Sequence, residues 1–247
     1  MKLILVDSSY LKESVSVIAD LVNEARFKFT ADGMELIAMD PANVAMTIFR
    51  LLSSGFESYE HEKDMEVGVN LQSFKQILRR ASPSDTLMLE VADNKLTIQM
   101  RASSTRTFSL PLIELEEREQ RIPNLTFPLS VQLRSQVLTD AITDADIVAE
   151  SVSFKCEPGM FTVNAKGDHS VANIEIKGDQ NTRIKMDTKV DVKAKYSIEY
   201  LKKMITGAKI ADTVEIQFNQ DYPLRLDYKV VDRMQLSFIL APRVEND

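Results

Sequence analysis

The sequence predicts an α+β fold made of two similar domains, and three observations carry that prediction. The stretch SFKQILRRASPSDTLMLEV (73–91) can be laid on YLKKMITGAKIADTVEIQF (200–218) without a gap. Apolar residues recur at helical spacing at two places in each half. Almost everywhere else they alternate with polar residues around turn-forming ones, which is the signature of antiparallel hairpins with one buried face. Each half thus reads as helix, strands, helix, strands, with domains over about 1–110 and 128–247 and a connector over 111–127.

The repeat is specific at the residue level. Phe74 falls on Leu201, Lys75 on Lys202, Ile77 on Met204, Leu78 on Ile205, Ala81 on Ala208, and Asp85-Thr86 on Asp212-Thr213. The same offset lays the first helix pattern, Leu11, Val15, Ile18, Leu21 and Val22, on the third, Leu138, Ile142, Ala145, Val148 and Ala149, and then Phe27 on Phe154. Following the first helix, RFKFTADGMELIAMD predicts a hairpin around Asp32-Gly33. The second helix, over 69–81, gathers Leu71, Phe74, Ile77, Leu78 and Ala81 within an arc of about 120°, with Gln72, Lys75, Gln76, Arg79 and Arg80 opposite. Residues 86–100 alternate around Asp93 and Asn94 as another hairpin, and TRTFSL (105–110) reads as a further strand.

The connector PLIELEEREQRIPNLTFP is acidic and is punctuated by Pro111, Pro123 and Pro128, so an extended path is expected. Beyond it the third helix turns Thr139, Thr143 and Asp146 outward, and Val152, Phe154 and Cys156 alternate as a buried strand. SVANIEIK (170–177) is another strand. Either this strand or 105–110 could be an exposed edge available to a second chain. The fourth helix buries Ile198, Leu201, Met204, Ile205 and Ala208 and shows Lys202 and Lys203 beside Thr206, and VEIQFNQDYPLRLDYKV closes the second half with a hairpin.

Composition removes several classes of function. With 44% hydrophobic residues the chain can fill a core without staples, and its single cysteine allows no internal disulfide. Seven glycines, none grouped between a strand and a helix, support neither a dinucleotide fold nor a P-loop. MKLILVD has too few apolar residues for a signal peptide, and a soluble intracellular protein is expected. A net charge of −7 disfavours nucleic-acid binding over the whole surface, so any contact with DNA must be local to the basic helix faces. Two histidines far apart and one cysteine make no zinc site, and no cofactor is expected. Asp144 and Asp146 suggest a metal-dependent phosphodiesterase as an alternative of another class, but no second acidic cluster completes a two-metal site, and no enzyme is read.

Four segments, TADGMELIAMDPANVAM (30–46), VGVNLQSFKQIL (67–78), RIPNL (121–125) and ILAPRVE (239–245), together with the duplicated layout, resemble the DNA sliding clamps of archaea and eukaryotes, the proliferating cell nuclear antigen (PCNA) family, over essentially the whole chain. The likeness is greatest to archaeal members. It implies a processivity factor: a trimeric ring with antiparallel sheets outside and helices lining a hole through which duplex DNA is threaded without regard to sequence. The family's channel-facing basic positions fall on Lys12 and Arg79, with Lys75, Arg80, Lys202 and Lys203 on the same helix faces. Glu13, Ala19, Gln76, Asp140, Thr143 and Thr206 stand where eukaryotic relatives carry Lys or Arg.

The resemblance also implies partners: DNA polymerase, clamp loader, ligase and flap nuclease, docked through a short peptide ending in aromatic residues in an apolar pocket beside the connector. The matching residues are Met39, Val44 and Met46, then Ile122 and Pro123 of the connector, and Pro223, Leu224, Ile239, Ala241 and Pro242 from the last part of the chain. Gln120 and Arg121 stand where eukaryotic relatives carry Leu and Gly. Ring closure would join 105–110, through Thr105, Thr107, Phe108 and Leu110, to 170–177 of the next subunit, through Val171, Asn173, Ile174 and Ile176. A mixed ring in which this chain is one of several kinds of subunit remains an alternative to three identical chains. The resemblance further implies a cytoplasmic location, associated with the nucleoid in an archaeon.

Overall fold

The structure, a computed structural model, describes residues 1–116, 120–187 and 190–243. Part of the expected connector (117–119) and the end of the 239–245 segment therefore lie outside the described residues. The chain divides into two compact units, the first comprising Met1–Pro41, Thr47–Ile122 and Val230–Leu236, the second Ala42–Met46, Pro123–Lys229 and Ser237–Asp247. Two short excursions, at 42–46 and 230–236, depart from a simple division along the chain. They arise because strands near both places begin in one unit and end in the other.

The first unit contains β1 (Lys2–Leu5), α1 (Ser9–Ala19), β2 (Glu24–Thr30), β3 (Gly33–Met39), most of β4 (Ala45–Leu52), β5 (Ser58–Glu60), β6 (Met65–Asn70), α2 (Leu71–Leu78), β7 (Thr86–Ala92), β8 (Lys95–Arg101) and β9 (Thr105–Pro111). One sheet runs β5-β1-β7-β8-β9, and β6-β2-β3-β4 are consecutive in another. The β7–β8 hairpin turns where the sequence predicts, with Asp93 and Asn94 both at positive φ (50° and 56°), the geometry that suits the right-handed twist of the strands. Leu71, Phe74 and Leu78 of α2 are fully buried, each worth about 1.5–3 kcal/mol, and Phe74 meets the ring of Phe27 edge-on at 6.1 Å.

The second unit repeats the plan with β10 (Leu129–Arg134), α3 (Ser135–Asp146), β11 (Ser151–Glu157), β12 (Met160–Lys166), β13 (Val171–Lys177), β14 (Arg183–Met186), β15 (Val192–Ser197), α4 (Ile198–Met204), β16 (Thr213–Gln217), β17 (Leu224–Val230) and the end of β18 (Met234–Leu240). Here the sheets are β13-β12-β11-β15 and the succession β14-β10-β16-β17-β18. Phe154 anchors the core, with Phe161, Tyr196 and Phe218 packed against it at 5.3, 5.5 and 6.0 Å. Cys156 lies in that core, and burial pushes its thiol up to about 11, so it is inert.

All four helices end earlier than their apolar spacing predicts: α1 stops at Ala19 although its pattern runs to Val22, and α3 at Asp146 although its pattern runs to Ala149. The α2 pattern continues to Ala81, but the helix closes at Leu78. The Arg80 and Ala81 amides reach back to Ile77 and Leu78 in a tightened last turn, ahead of Pro83, which disfavours helix in the residue before it. Arg79 is therefore the helix C-cap, its amide still bonded to Lys75 O, and Arg80 lies in the tightened turn just past it. The α4 pattern passes at Ile205 into a 3₁₀ turn, Ile205–Lys209. A Cβ on Gly207 would stand 2.6 Å from the Tyr228 ring, so this turn sits closer to the sheet than any side-chain-bearing residue would allow.

Candidate functional site

The basic face of the first unit is built by one helix closing the end of another. Helix α1 ends without a glycine and has no basic residue in its last turn, which leaves its terminal carbonyls in need of donors. Helix α2 supplies them. Gln72 Nε2 donates to Ala19 O at 2.5 Å, and Lys75 Nζ donates to Ser16 O at 3.1 Å while pairing with Asp20 Oδ1 at 2.6 Å. Lys12 of α1 reciprocates by donating to Ala81 O at 2.9 Å. The side chain of Asn70 caps α2 by accepting from the Ser73 amide at 2.9 Å. Lys12 and Lys75 are thus half-buried ties, whereas Arg79 and Arg80 are exposed and form no ion pair among the described residues.

In the second unit Lys202 pairs with Asp146 Oδ2 at 2.6 Å. Lys203 faces Glu199 on its own helix at 3.4 Å and lies over the Tyr200 ring, 5.4 Å from its centre. Helix α3 presents Gln136 bonded to Asp140, and Thr139 and Thr143 bonded back to carbonyls one turn earlier. Asp146 is thus occupied by a lysine, and among the described residues no three His, Cys, Asp or Glu side chains are grouped to hold a metal ion.

Strands β9 and β13 are each the outermost strand of their sheet. Along β9, Thr105 and Thr107 are exposed and Phe108 and Leu110 half-buried. Along β13, Val171 and Asn173 are exposed, Ile174 half-buried and Ile176 buried. The β9 edge is fixed from beneath by Arg106, which donates to Arg80 O at 3.0 Å and to Asp85 Oδ2 at 2.5 Å. Two bonds from Ser82, from its amide and its hydroxyl, together with that guanidinium, pull the Asp85 carboxyl down to about 2.

Of the residues expected at a docking pocket, most belong to the second unit. The Ala241 amide donates to Val44 O at 2.9 Å and the Arg243 amide to Lys195 O at 2.7 Å, which fixes the segment after β18 as an extended strand-like strip. Val44, Pro223, Ala241 and Pro242 are half-buried and Pro123 exposed. Met46, Leu224 and Ile239 are buried in the core rather than at the surface. Beside Pro223, Tyr222 meets Phe127 edge-on at 5.9 Å, and Tyr196 donates its hydroxyl to Tyr222 O. In the first unit Met39 ends β3 half-buried and Ile122 is exposed.

Sequence reasoning did not reach Asp20, which pairs with Lys75, or the Arg106–Asp85 link, because pairing across distant segments leaves no local pattern. It also passed over Gly68, although a lone glycine inside a strand pattern is a known sign of close backbone approach.

Two family models account for almost the entire chain. Residues 1–119 match "Proliferating cell nuclear antigen, N-terminal domain" and residues 121–243 match "Proliferating cell nuclear antigen, C-terminal domain". The chain belongs to the proliferating cell nuclear antigen family. Among curated relatives it is 36% identical over 232 residues to DNA polymerase sliding clamp 1 of Thermococcus kodakarensis, covering 94% of this chain and 93% of that protein. It is also 36% identical to the DNA polymerase sliding clamp of Nanoarchaeum equitans over 247 residues, 98% of this chain and 99% of the relative. The fold agrees with a crystal structure of PCNA from Thermococcus kodakaraensis with a TM-score of 0.92 and 26% identity, over 98% of this chain and 99% of that one. The family fold of two similar domains with antiparallel sheets and few helices is the fold found here.

Proposed function

We propose that this chain is a DNA polymerase sliding clamp, a non-enzymatic processivity factor that closes as a trimeric ring around duplex DNA and tethers replication and repair proteins. The observation that carries the reading is the match to sliding clamps from end to end, rather than over one domain. The structure supports it physically. Arg79 and Arg80 are exposed cations on an acidic protein, and contacts made only to phosphates hold DNA without fixing sequence. The outer strands β9 and β13 are open edges of the kind that an isolated soluble protein tends to cover, and joining them between subunits would remove both from solvent. Three identical chains close such a ring most simply, with each edge meeting the other kind on its neighbour.

Polymerase, loader, ligase and nuclease would dock through a short peptide on the apolar strip of Val44, Pro223, Ala241 and Pro242 beside the connector. The test is retention on DNA. Loaded onto a nicked circle, the chain should stay bound through a wash at moderate salt and be lost once the circle is cut. Equal retention on circular and linear DNA would overturn the ring reading.

A further inference from the structure

The start of the connector, residues 112–115, does not leave β9 as a free strand. After β9, the Leu112 amide donates to Asn94 O and the Ile113 amide donates to Gly68 O, each at 3.0 Å, so that Gly68 and Ile113 form an isolated antiparallel bridge. The backbones meet so closely there that a Cβ on Gly68 would fall 2.2 Å from Ile113 O. Two residues further on, the Arg26 guanidinium forks. One nitrogen donates to Leu115 O at 2.6 Å and the other pairs with Glu66 Oε2 at 3.3 Å. Arg26 and Glu66 lie on the paired strands β2 and β6, with Gly68 two residues beyond Glu66, so the contacts of Ile113 and Leu115 belong to one edge of the first unit, while Leu112 is held by the turn between β7 and β8.

We propose that Arg26 and Gly68 are positioning residues that hold the start of the connector, at Ile113 and Leu115, to the β6 edge and thereby set the affinity for peptides that dock beside it. The second part rests on the docking reading above. A loose connector must be ordered when a peptide binds, and that conformational cost subtracts from the affinity; a connector already tied at Ile113 and Leu115 carries little of it. Gly68 supplies the space and Arg26 the grip. A lysine at position 26 keeps the charge but, as a single ammonium group, does not reproduce the planar fork.

The experiment measures two things on the full chain: hydrogen exchange of the 112–115 amides, and affinity for a short synthetic peptide ending in paired aromatic residues. Arg26→Ala should speed exchange at Ile113 about tenfold, the order expected for one lost charge-assisted bond, while Phe27 and Val67 amides stay protected. Arg26→Lys should recover part of that protection. Gly68→Ala, which acts through the backbone rather than the guanidinium, should give the same exchange pattern. In Arg26→Ala and Gly68→Ala peptide affinity should fall several-fold, with the thermal midpoint little moved in Arg26→Ala and lowered in Gly68→Ala, where the added methyl meets Ile113 O. Unchanged exchange in both Arg26→Ala and Gly68→Ala overturns the anchor itself. Faster exchange with unchanged affinity overturns the positioning role. If the unaltered chain fails to bind the peptide, the docking reading and the positioning role fall together, and the exchange result still decides the anchor.

Discussion

Lys75 Nζ lies 2.6 Å from Asp20 Oδ1, joining the second helix of the first unit to the end of the first helix. The second unit repeats the relationship between Lys202, the residue laid on Lys75 by the internal repeat, and Asp146 at the end of α3, again at 2.6 Å. A carboxylate at a helix C-terminus is disfavoured by the helix dipole, and a lysine brought across from the neighbouring helix offsets that. With Asp20, Asp146 and Lys202 well exposed, each pair contributes only about 0–1 kcal/mol to stability. The pairs matter more for what they withhold: two of the cations on the basic faces are already partly neutralised within the protein.

Releasing those cations should strengthen contact with DNA. In the double variant Asp20→Asn, Asp146→Asn, the fall of log affinity with log salt should steepen by up to about 0.9 for each lysine that gains a phosphate. Titration of duplex DNA across a salt series measures this. An unchanged slope would set Lys75 and Lys202 apart from the DNA-facing surface.

Gly207 should tolerate no side chain. Alanine there would press a methyl group into the Tyr228 ring, and Gly207→Ala is expected to cost about 1–3 kcal/mol. Chemical denaturation should show a lower midpoint. Wild-type stability would mean that the 3₁₀ turn can lift away from the ring without penalty.

Acid should loosen the support beneath β9. The Asp85 carboxyl is held at about 2, below its ordinary 3.8, so the folded state favours the charged form. Its contribution is complete above the ordinary value and is lost as pH falls from about 4 through 2. Asp85→Asn should be less stable than wild type at neutral pH, and the gap should narrow over that acid range. A gap that does not change with pH would show that the ion pair with Arg106 and the bonds from Ser82 are not its source.

The edge of β13 should be needed for assembly. Ile174→Glu puts a charge on a half-buried edge position and is expected to shift the mass in solution from near three times 27.9 kDa towards one, with the circular dichroism of the folded chain retained. Light scattering over a concentration series reads the mass. A variant that keeps the wild-type mass would move the interface elsewhere.

Most of the fold was legible because it rests on local periodicity. The two halves, the Asp93-Asn94 hairpin, the buried run of Val152, Phe154 and Cys156, and the strands that became β9 and β13 all announce themselves within a dozen residues. The exact helix ends were not legible. Ala81 is buried as the α2 pattern requires, yet the helix stops before it, because an apolar position can be filled equally well from a tightened turn. Nor did spacing separate tied from free cations. Lys75 and Arg79 share a helix period, but only Lys75 reaches the α1 terminus, and that depends on how the two helices lie against each other. At the proposed docking strip the same limit appears: Leu224 and Pro223 are adjacent in sequence, while one is wholly enclosed and the other reaches the surface.

The lysine ties have a consequence for motion. A cation that already holds a carbonyl, as Lys12 does, a carboxylate, as Lys202 does, or both, as Lys75 does, gains little when a phosphate passes and loses little when it departs, so the energy felt by a threaded duplex would vary only gently with its position. Drag on such a ring would come chiefly from Arg79 and Arg80, whose exposed side chains can swing with a phosphate and let go of it. Lubrication, in this picture, comes from cations tied up in advance rather than from a shortage of positive charge.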